Sequence, residues 1–328
     1  MIAHLVTIAL LVVVLLKLYQ RIGLRLGILD YPSNRGQHAH PVVVGAGIVI
    51  TLVVVFVIGL LGWFDKSVLN NPLVFLAVGA CLGVIGFLDD LYQLSPGTRL
   101  MFYFLGSIVF IASQPVPFEQ GMFWVLTVVL LCIALVWVTN LYNFMDGLDG
   151  FATVQAIAVL GGMAILAALS PAPAHELIGM LLVPCAALVP FLFFNWAPAS
   201  MFLGDAGSVF LGFYLGAMGL VAFNVQPTLA IAWLILMAPF LVDATLTLLL
   251  RVAAGNSPYI PHRDHCYQRL ARMTGKASLC TLGLGFLQLC WQFPLAWWAT
   301  MGDSPTWLVV IFSVIPSLCL LVYSRQAT

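Results

Sequence analysis

The sequence predicts an all-α, polytopic integral membrane protein, and three observations predict it. Hydrophobic residues make up 62% of the 328-residue chain and charged residues only 7%, where a soluble domain carries about 25% charged. Apolar runs approaching the roughly 20 residues that cross a bilayer core recur from end to end. Lys and Arg fall almost entirely in alternate loops. Such a chain is not a soluble enzyme, and no nucleic-acid partner is expected.

Gly, Pro, Asn or charged residues divide the apolar sequence into eleven candidate spans, at 2–20, 42–62, 73–88, 99–113, 121–139, 151–169, 177–194, 208–224, 227–249, 278–299 and 305–323. The first has no basic residue ahead of it and several after, the reverse of a cleaved signal peptide, so a retained helix is expected. Residues 1–328 show no internal repeat and are expected to form one transmembrane domain, with polar loops near 20–41, 89–98, 140–150, 195–207 and 250–277. Those loops, the flanking helix ends and the C-terminus hold Lys17, Arg21, Arg25, Arg35, Arg99, Arg251, Arg263, Arg269, Arg272, Lys276 and Arg325. The opposite loops hold Lys66 alone. Positive loops stay in the cytoplasm, which puts the N-terminus outside and the C-terminus inside. An odd number of spans agrees. Seven cysteines are scattered singly with no C-x-x-C pair, so neither a disulfide framework nor a zinc ribbon is expected.

Acidic residues are segregated as well. Asp89, Asp90, Asp146, Asp149, Asp205, Asp243 and Asp264 fall at or near the cytoplasmic face, whereas Asp65, Glu119, Glu176 and Asp303 are scattered over the other. A carboxylate at the centre of a membrane helix costs about 2.5–3.5 kcal/mol on insertion scales, so acids near helix ends are expected to meet water or one another.

Four stretches carry this polar chemistry. In GVIGFLDDLYQLSPGTRL, Asp89 and Asp90 end one span and Arg99 begins the next. Acids are ordinary on solvated helix ends. At a C-terminus, however, they oppose the helix dipole unless something cationic compensates, and an adjacent pair tolerates its repulsion best around a cation or base. In NLYNFMDGLDGF, Asn140, Asn143, Asp146 and Asp149 recur at every third position, which in a helix makes one broad polar face. Gly147 and Gly150 imply that the helix unwinds there. Capping accounts for one or two such residues, not four in register.

In NWAPASMFLGDAGSVFLGF, Asp205 lies between Gly204 and Gly207, ahead of Ser208. The plain reading is an N-cap. As chemistry, a helix N-terminus beside glycines suits an anion, and a carboxylate there suits a metal bound to that anion. The last stretch, RVAAGNSPYIPHRDHCYQRLARMTGK, sets His262, Arg263, Asp264 and His265 side by side. Topology or lipid headgroups explain Arg272 and Lys276 but not the histidines. A zinc site from His262, His265 and Cys266 matches no structural zinc spacing.

Carboxylates and amides set against Arg and His suggest a divalent cation bridging phosphates. Mg²⁺ is hard and takes oxygen ligands, commonly one or two carboxylates plus substrate phosphates. Arg adds planar donors and His a proton or hydrogen bond. Phosphoryl transfer fits, because its catalysis is mainly positioning and charge neutralisation. With DD at 89–90, NLYNFMDGLDG at 140–150, FLGDAGS at 202–208 and PHRDHCYQRL at 261–270, the chain resembles the polyprenyl-phosphate N-acetylhexosamine-1-phosphate transferases, integral membrane enzymes of the glycosyltransferase family 4 type. DYPSNRGQHAHP (30–41) resembles the early cytoplasmic loop of that family, and PFLVDATLTLLLR (239–251) its ninth helix.

The resemblance implies transfer of a sugar-1-phosphate from a UDP-N-acetylhexosamine to undecaprenyl phosphate, with release of UMP, at the cytoplasmic face of a bacterial inner membrane. Mg²⁺, or Mn²⁺ in its place, is the implied cofactor, and a homodimer is compatible. Asp89, Asp90 and Asp205 would form the catalytic set. Asp205 would ligate the metal, with Asn143 as second ligand or phosphate contact. Asp149 and Phe202 would hold uracil, Asp146 would organise the same pocket, and Asn140 would be a further substrate-binding residue. Arg99 would face the diphosphate, as would His262, Arg263 and His265 from the last loop.

Family proposals make Asp89 a base or a nucleophile. A phosphate monoester has its second pKa near about 6, so the acceptor is mostly dianionic at neutral pH and a base has little to do. A single in-line displacement is expected instead, with Asp89 and Asp90 positioning acceptor or metal. The chain departs from the family at PVVVGAG, so His38 and His40 receive no role. HRDH followed by YQRL is unlike the His-rich motif of cell-wall muramyl-pentapeptide enzymes, which favours an O-antigen or capsule initiator over a peptidoglycan enzyme. A cation-coupled transporter is the competing class, but its acids would lie at mid-bilayer on broken helices.

Overall fold

Inside a bilayer an apolar chain has only its own backbone to hydrogen-bond with, so its runs become helices. The computed structural model describes residues 1–31, 40–62, 71–116, 121–170, 174–257, 262–302 and 305–326. Arg35, His38, Asp65, Lys66, Glu119 and Asp303 lie outside the described residues. In chain order the helices are α1 (Ile2–Leu26), α2 (Gly47–Gly62), α3 (Pro72–Tyr92), α4 (Pro96–Ala112), α5 (Met122–Phe144), α6 (Phe151–Leu169) and α7 (His175–Asn195). They continue with α8 (Gly204–Val225), α9 (Pro227–Ala253) and the short α10 (Cys266–Thr274). Next comes α11 (Ala277–Leu287), which runs through a π-helical turn at Gln288–Gln292 into α12 (Phe293–Met301), and last α13 (Thr306–Gln326).

Each expected span is met by a helix. Among the described residues nine are long and apolar enough to cross a membrane, with Ala277–Met301 taken as one, while α2 and α4 are apolar but shorter. Asn71 and Ser95 cap α3 and α4 by accepting from the N–H groups of Val74 (3.3 Å) and Thr98 (3.2 Å), each just before a proline at the first helical position.

Two features depart from the expected pattern. The second span does not begin as helix at 42. Instead β1 (Leu29–Asp30) pairs antiparallel with β2 (Val42–Val43), and Val43 also bridges Met201 in parallel. Gly45, at φ 77°, then turns the chain into α2. The last long loop, for which no helix was expected, contains α10, which buries Cys266, Tyr267 and Ala271.

α8 is the hub of the bundle and is buried along most of its length. Its neighbours reach it through glycines. A Cβ on Gly47 would stand 2.2 Å from the backbone of Gly207, one on Gly86 2.2 Å from the Asp205 carbonyl oxygen, and one on Gly212 2.8 Å from the Thr139 carbonyl oxygen. Thus α2, α3 and α5 meet α8 backbone against backbone, the close approach that small residues allow in membranes. Gly47→Ala is expected to overpack this contact by roughly 1–3 kcal/mol and lower the thermal unfolding midpoint in detergent. Gly283→Ala, with nothing within 4 Å of the added methyl, should not lower it.

Candidate active site

The C-terminal ends of α3 and α5 and the N-terminal ends of α4 and α8 meet at one end of the bundle around a cavity of about 670 Å³. Asp30, Asp89, Asp90, Asp146, Asp149 and Asp205 line it, and among the described residues Arg99 is the one cationic side chain that does.

Asp89 and Asp90 end α3 with different partners. Asp89 Oδ1 accepts from the Leu94 N–H (2.6 Å), which closes the turn into α4, and its Oδ2 accepts from Arg99 Nη1 (2.8 Å). The same Arg99 nitrogen reaches Asp205 Oδ2 at 3.4 Å. The cation that the helix-end acids call for is therefore Arg99, shared by Asp89 and Asp205. Asp90 instead accepts the N–H groups of Asp205 (2.8 Å) and Ala206 (3.1 Å), one on each oxygen. Gly204, at φ 71°, makes room, since a Cβ there would stand 2.5 Å from Asp90 Oδ2. This corrects one expectation. The N-terminus of α8, which suits a substrate anion, already holds the carboxylate of Asp90.

The four polar groups at intervals of three do not share a helical face, because α5 stops at Phe144. Asn143, in its last turn, donates Nδ2 to Asp205 Oδ1 (2.9 Å) and to Ser208 Oγ (3.0 Å). Asp146 and Asp149 lie beyond, in the turn that Gly150 (φ 71°) closes into α6. Asn140 does not line the cavity. It sits three residues before Asn143, about 4.5 Å back along the axis of α5. Burial, and then the charges of Asp205, Asp90 and Asp149, push the Asp146 carboxyl well above the usual carboxylate range. Asp149 Oδ2 accepts from the Ala199 N–H (2.9 Å), and Phe202 lines the same cavity, so the two residues expected at uracil do come together.

His262, Arg263 and His265 do not line the cavity, contrary to expectation. Asp243 lies within α9, ten residues before its end, and accepts the N–H groups of Cys266 (2.8 Å) and Tyr267 (3.2 Å) and the Thr247 hydroxyl (3.1 Å). His265 is buried with Nδ1 3.7 Å from Asp243. Asp264 pairs with Arg251 and, at 3.4 Å, with Arg269, while the Arg263 carbonyl accepts from Arg272 (2.9 Å). Burial, then His265 and Arg251, lower the His262 imidazole to about 4, against the pull of Asp264 and Asp243. Burial raises the Asp264 carboxyl, but Arg251, with His262 and Arg269, outweighs it and holds the group below its ordinary value.

Sequence reasoning missed Asn195 and Asp30. Asn195 Oδ1 accepts from the Gly150 N–H (3.1 Å) and the Thr153 hydroxyl (2.8 Å), and its Nδ2 donates to the Met201 carbonyl (3.1 Å). One side chain thus ties the start of α6 to the approach to α8. The only signal was an asparagine ending an apolar run at NWAPAS. Asp30 was legible only as the first residue of DYPSN.

The donor set bears on a metal. Among the described residues no group of three or more His, Cys, Asp or Glu side chains is arranged to hold an ion by itself. Mg²⁺ asks for less, one or two carboxylates completed by substrate phosphates and water. Asp205 fits that demand, being partly exposed and reached at Oδ2 by Arg99 at 3.4 Å. Asn143 turns its amide nitrogen toward Asp205, so in this arrangement it orients the carboxylate. A hard, oxygen-seeking ion suits these residues.

Fold and site together define a helical membrane enzyme whose carboxylates and one arginine gather at one end of the bundle. The sequence profile of glycosyl transferase family 4 matches residues 72–223, the span that carries Asp89, Asp90, Arg99, Asn143, Asp146, Asp149, Phe202 and Asp205. The chain is 30% identical over 282 residues, 79% of its length and 74% of the relative's, to a probable undecaprenyl-phosphate N-acetylglucosaminyl 1-phosphate transferase of Bacillus subtilis (strain 168). It is 29% identical over 195 residues, 53% of its length and 57% of the relative's, to a phospho-N-acetylmuramoyl-pentapeptide-transferase of Streptococcus pneumoniae (strain CGSP14). Against the protein of the same name from Streptococcus equi subsp. equi (strain 4047) it is 31% identical over 183 residues, 50% and 54% of the two lengths. The chain belongs to glycosyl transferase family 4 and is a multi-pass enzyme of the bacterial inner membrane.

The His262 shift makes a prediction about pH. Because its pKa falls from 6.5 to about 4 on folding, the unfolded chain binds the proton more readily between those values. Its share of stability is whole above pH 6.5 and is lost as pH falls toward 4. Asp146, with its raised pKa, acts in the opposite sense over this window, so a mutant is needed to separate them. The difference in unfolding midpoint between wild type and His262→Gln should shrink as the pH of a detergent melt is lowered from 7 to about 4. A pH-independent difference would contradict the assignment.

Proposed function

We propose that the chain transfers N-acetylhexosamine-1-phosphate from a UDP-N-acetylhexosamine to undecaprenyl phosphate at the cytoplasmic face, releasing UMP, with Mg²⁺ or Mn²⁺ as cofactor. The observation that carries this reading is Arg99 Nη1 placed between Asp89 (2.8 Å) and Asp205 (3.4 Å), in a cavity whose wall also holds Asp149 and Phe202. An acceptor phosphate oxygen attacks the sugar-bearing phosphorus, the bond from that phosphorus to the bridging oxygen breaks, and UMP leaves with that oxygen. A dianionic acceptor and a doubly charged diphosphate give a doubly charged lipid diphosphosugar and dianionic UMP, so no proton has to move.

The chain's own groups suit positioning. Asp89 and Asp90 each accept a hydrogen bond on both oxygens, which holds both carboxylates in place. Arg99, anchored by two acids, presents its remaining N–H groups to phosphate oxygens. Asn143, which also donates to Ser208, fixes Asp205. The bound cation would neutralise diphosphate charge that the single arginine cannot.

The donor follows from two supports. The Bacillus relative, named for an N-acetylglucosaminyl group, aligns over 79% of this chain, and the streptococcal ones over about half. The HRDH…YQRL motif departs from the His-rich pattern of the muramyl-pentapeptide enzymes. We read the product as the lipid-linked starter of an O-antigen or capsule. The streptococcal relatives support a second reading, a UDP-N-acetylmuramoyl-pentapeptide donor.

Purified protein in detergent, given undecaprenyl phosphate and a panel of UDP-amino sugars plus the muramoyl-pentapeptide donor, tests both by UMP release. Release from an amino sugar and loss in EDTA are expected. Release from the pentapeptide donor alone would install the second reading, and full activity in EDTA would remove the metal. Asp205→Asn should cost roughly 10²–10³-fold in turnover, the scale of losing one charge-stabilising group. Mass spectrometry after incubation with donor alone should find no phosphoryl-aspartate.

A further inference from the structure

Tyr267, to which the transfer chemistry assigns nothing, touches both ends of the turn that carries Asp146 and Asp149. Its hydroxyl donates to the carbonyl of Phe144, the last residue of α5, at 2.9 Å, satisfying one of the oxygens that a helix C-terminus leaves without a partner. Its ring stacks on Phe151, the first residue of α6, at 4.8 Å between centroids and 18° between planes. Phe151 stacks in turn on Phe240 of α9, at 5.4 Å and 15°. Between those ends, a Cβ on Gly147 would stand 2.3 Å from the Tyr267 hydroxyl oxygen, so the turn closes around that atom.

Tyr267 is itself held in place. It is 3% exposed, and the Asp243 carboxylate takes its N–H and that of Cys266 (3.2 and 2.8 Å). A residue that only filled space could be phenylalanine, since the stack uses the ring alone. The hydroxyl does something else. We propose that Tyr267 is a positioning residue for the transfer reaction: anchored by Asp243, it fixes the 145–150 turn from the far side and so places Asp146 and Asp149 on the donor wall of the cavity. This inference rests on the transferase reading. It gives the HRDHCYQRL stretch of the last loop an indirect role, because that stretch shapes the donor site without lining it.

Tyr267→Phe in the full-length protein separates the hydroxyl from the ring. The variant should raise KM for the UDP-sugar roughly three- to tenfold, the scale of one lost buried hydrogen bond, while KM for undecaprenyl phosphate stays as in wild type. Amide hydrogen exchange across 145–150 should quicken with no change along α8. Tyr267→Leu, which loses ring and hydroxyl, should do both and also lower the unfolding midpoint. A Tyr267→Phe enzyme with wild-type donor KM and unaltered exchange in the turn overturns the inference. So does one whose two KM values rise together as its midpoint falls, which marks a purely structural role. Wild type releasing UMP from no donor overturns the transferase reading instead, and the exchange measurement still decides whether Tyr267 holds the turn.

Discussion

The carboxylate of Asp90 on the first N–H groups of α8 is the interaction on which the acidic end depends. α8 follows Leu203, which has no side-chain oxygen to cap it, so its first N–H groups need an acceptor from elsewhere. Asp90 serves them from another helix, and its own charge is satisfied in return by two donors and the positive end of a helix dipole. Gly86, one turn earlier on α3, lets that helix lie against the Asp205 carbonyl, so the two helix ends can meet at hydrogen-bond distance. Once they do, little freedom remains. Asp89 is the next residue round α3 and turns toward Arg99, and Asp205 in the first turn of α8 reaches the same guanidinium.

The device recurs at two other helix starts. Gly150 brings no cap to α6, and Asn195 from the end of α7 supplies the acceptor. His265 provides no side-chain cap for α10, and Asp243 from within α9 does so with two N–H groups. In each case a polar side chain answers a need in a different element. The result is a set of loops pinned by helices rather than hanging between them, which is the support a site needs to hold charged groups in fixed relation.

What the sequence made legible follows from what can be read locally. Spans follow from apolar length, and the gathering of acids follows from the cost of burying charge, so the bundle and the meeting of Asp89, Arg99 and Asp205 were within reach. The unwinding at Gly147 and Gly150 was too. Partners that exist only after docking were not. Asp90 looks like a second copy of Asp89 until α8 arrives, and Asn140 looks equivalent to Asn143 until α5 is seen to end at Phe144. His262, Arg263 and His265 resemble phosphate ligands because composition shows their charge but not that His262 and His265 settle beside Asp264 and Asp243, outside the cavity lining. α10 was invisible for a related reason. It is nine residues long, too short to be stable alone, and owes its helicity to the surface it packs on.

The occupied oxygens also bear on the route of transfer. A nucleophilic aspartate must present an oxygen in line with the breaking bond, and to do so it has to leave whatever holds it. For Asp90 that would uncap α8 and release Asp205 with it. For Asp89 it would break the 2.6 Å contact with Leu94 and the ion pair with Arg99, discarding the cation where negative charge is densest. A direct displacement leaves both in place throughout the cycle. It requires only that the acceptor arrive as a nucleophile, which a phosphate monoester near neutral pH already is. The hydrogen bonds that build this end of the bundle are therefore intact in a one-step route and sacrificed in a two-step one, and that difference favours the former.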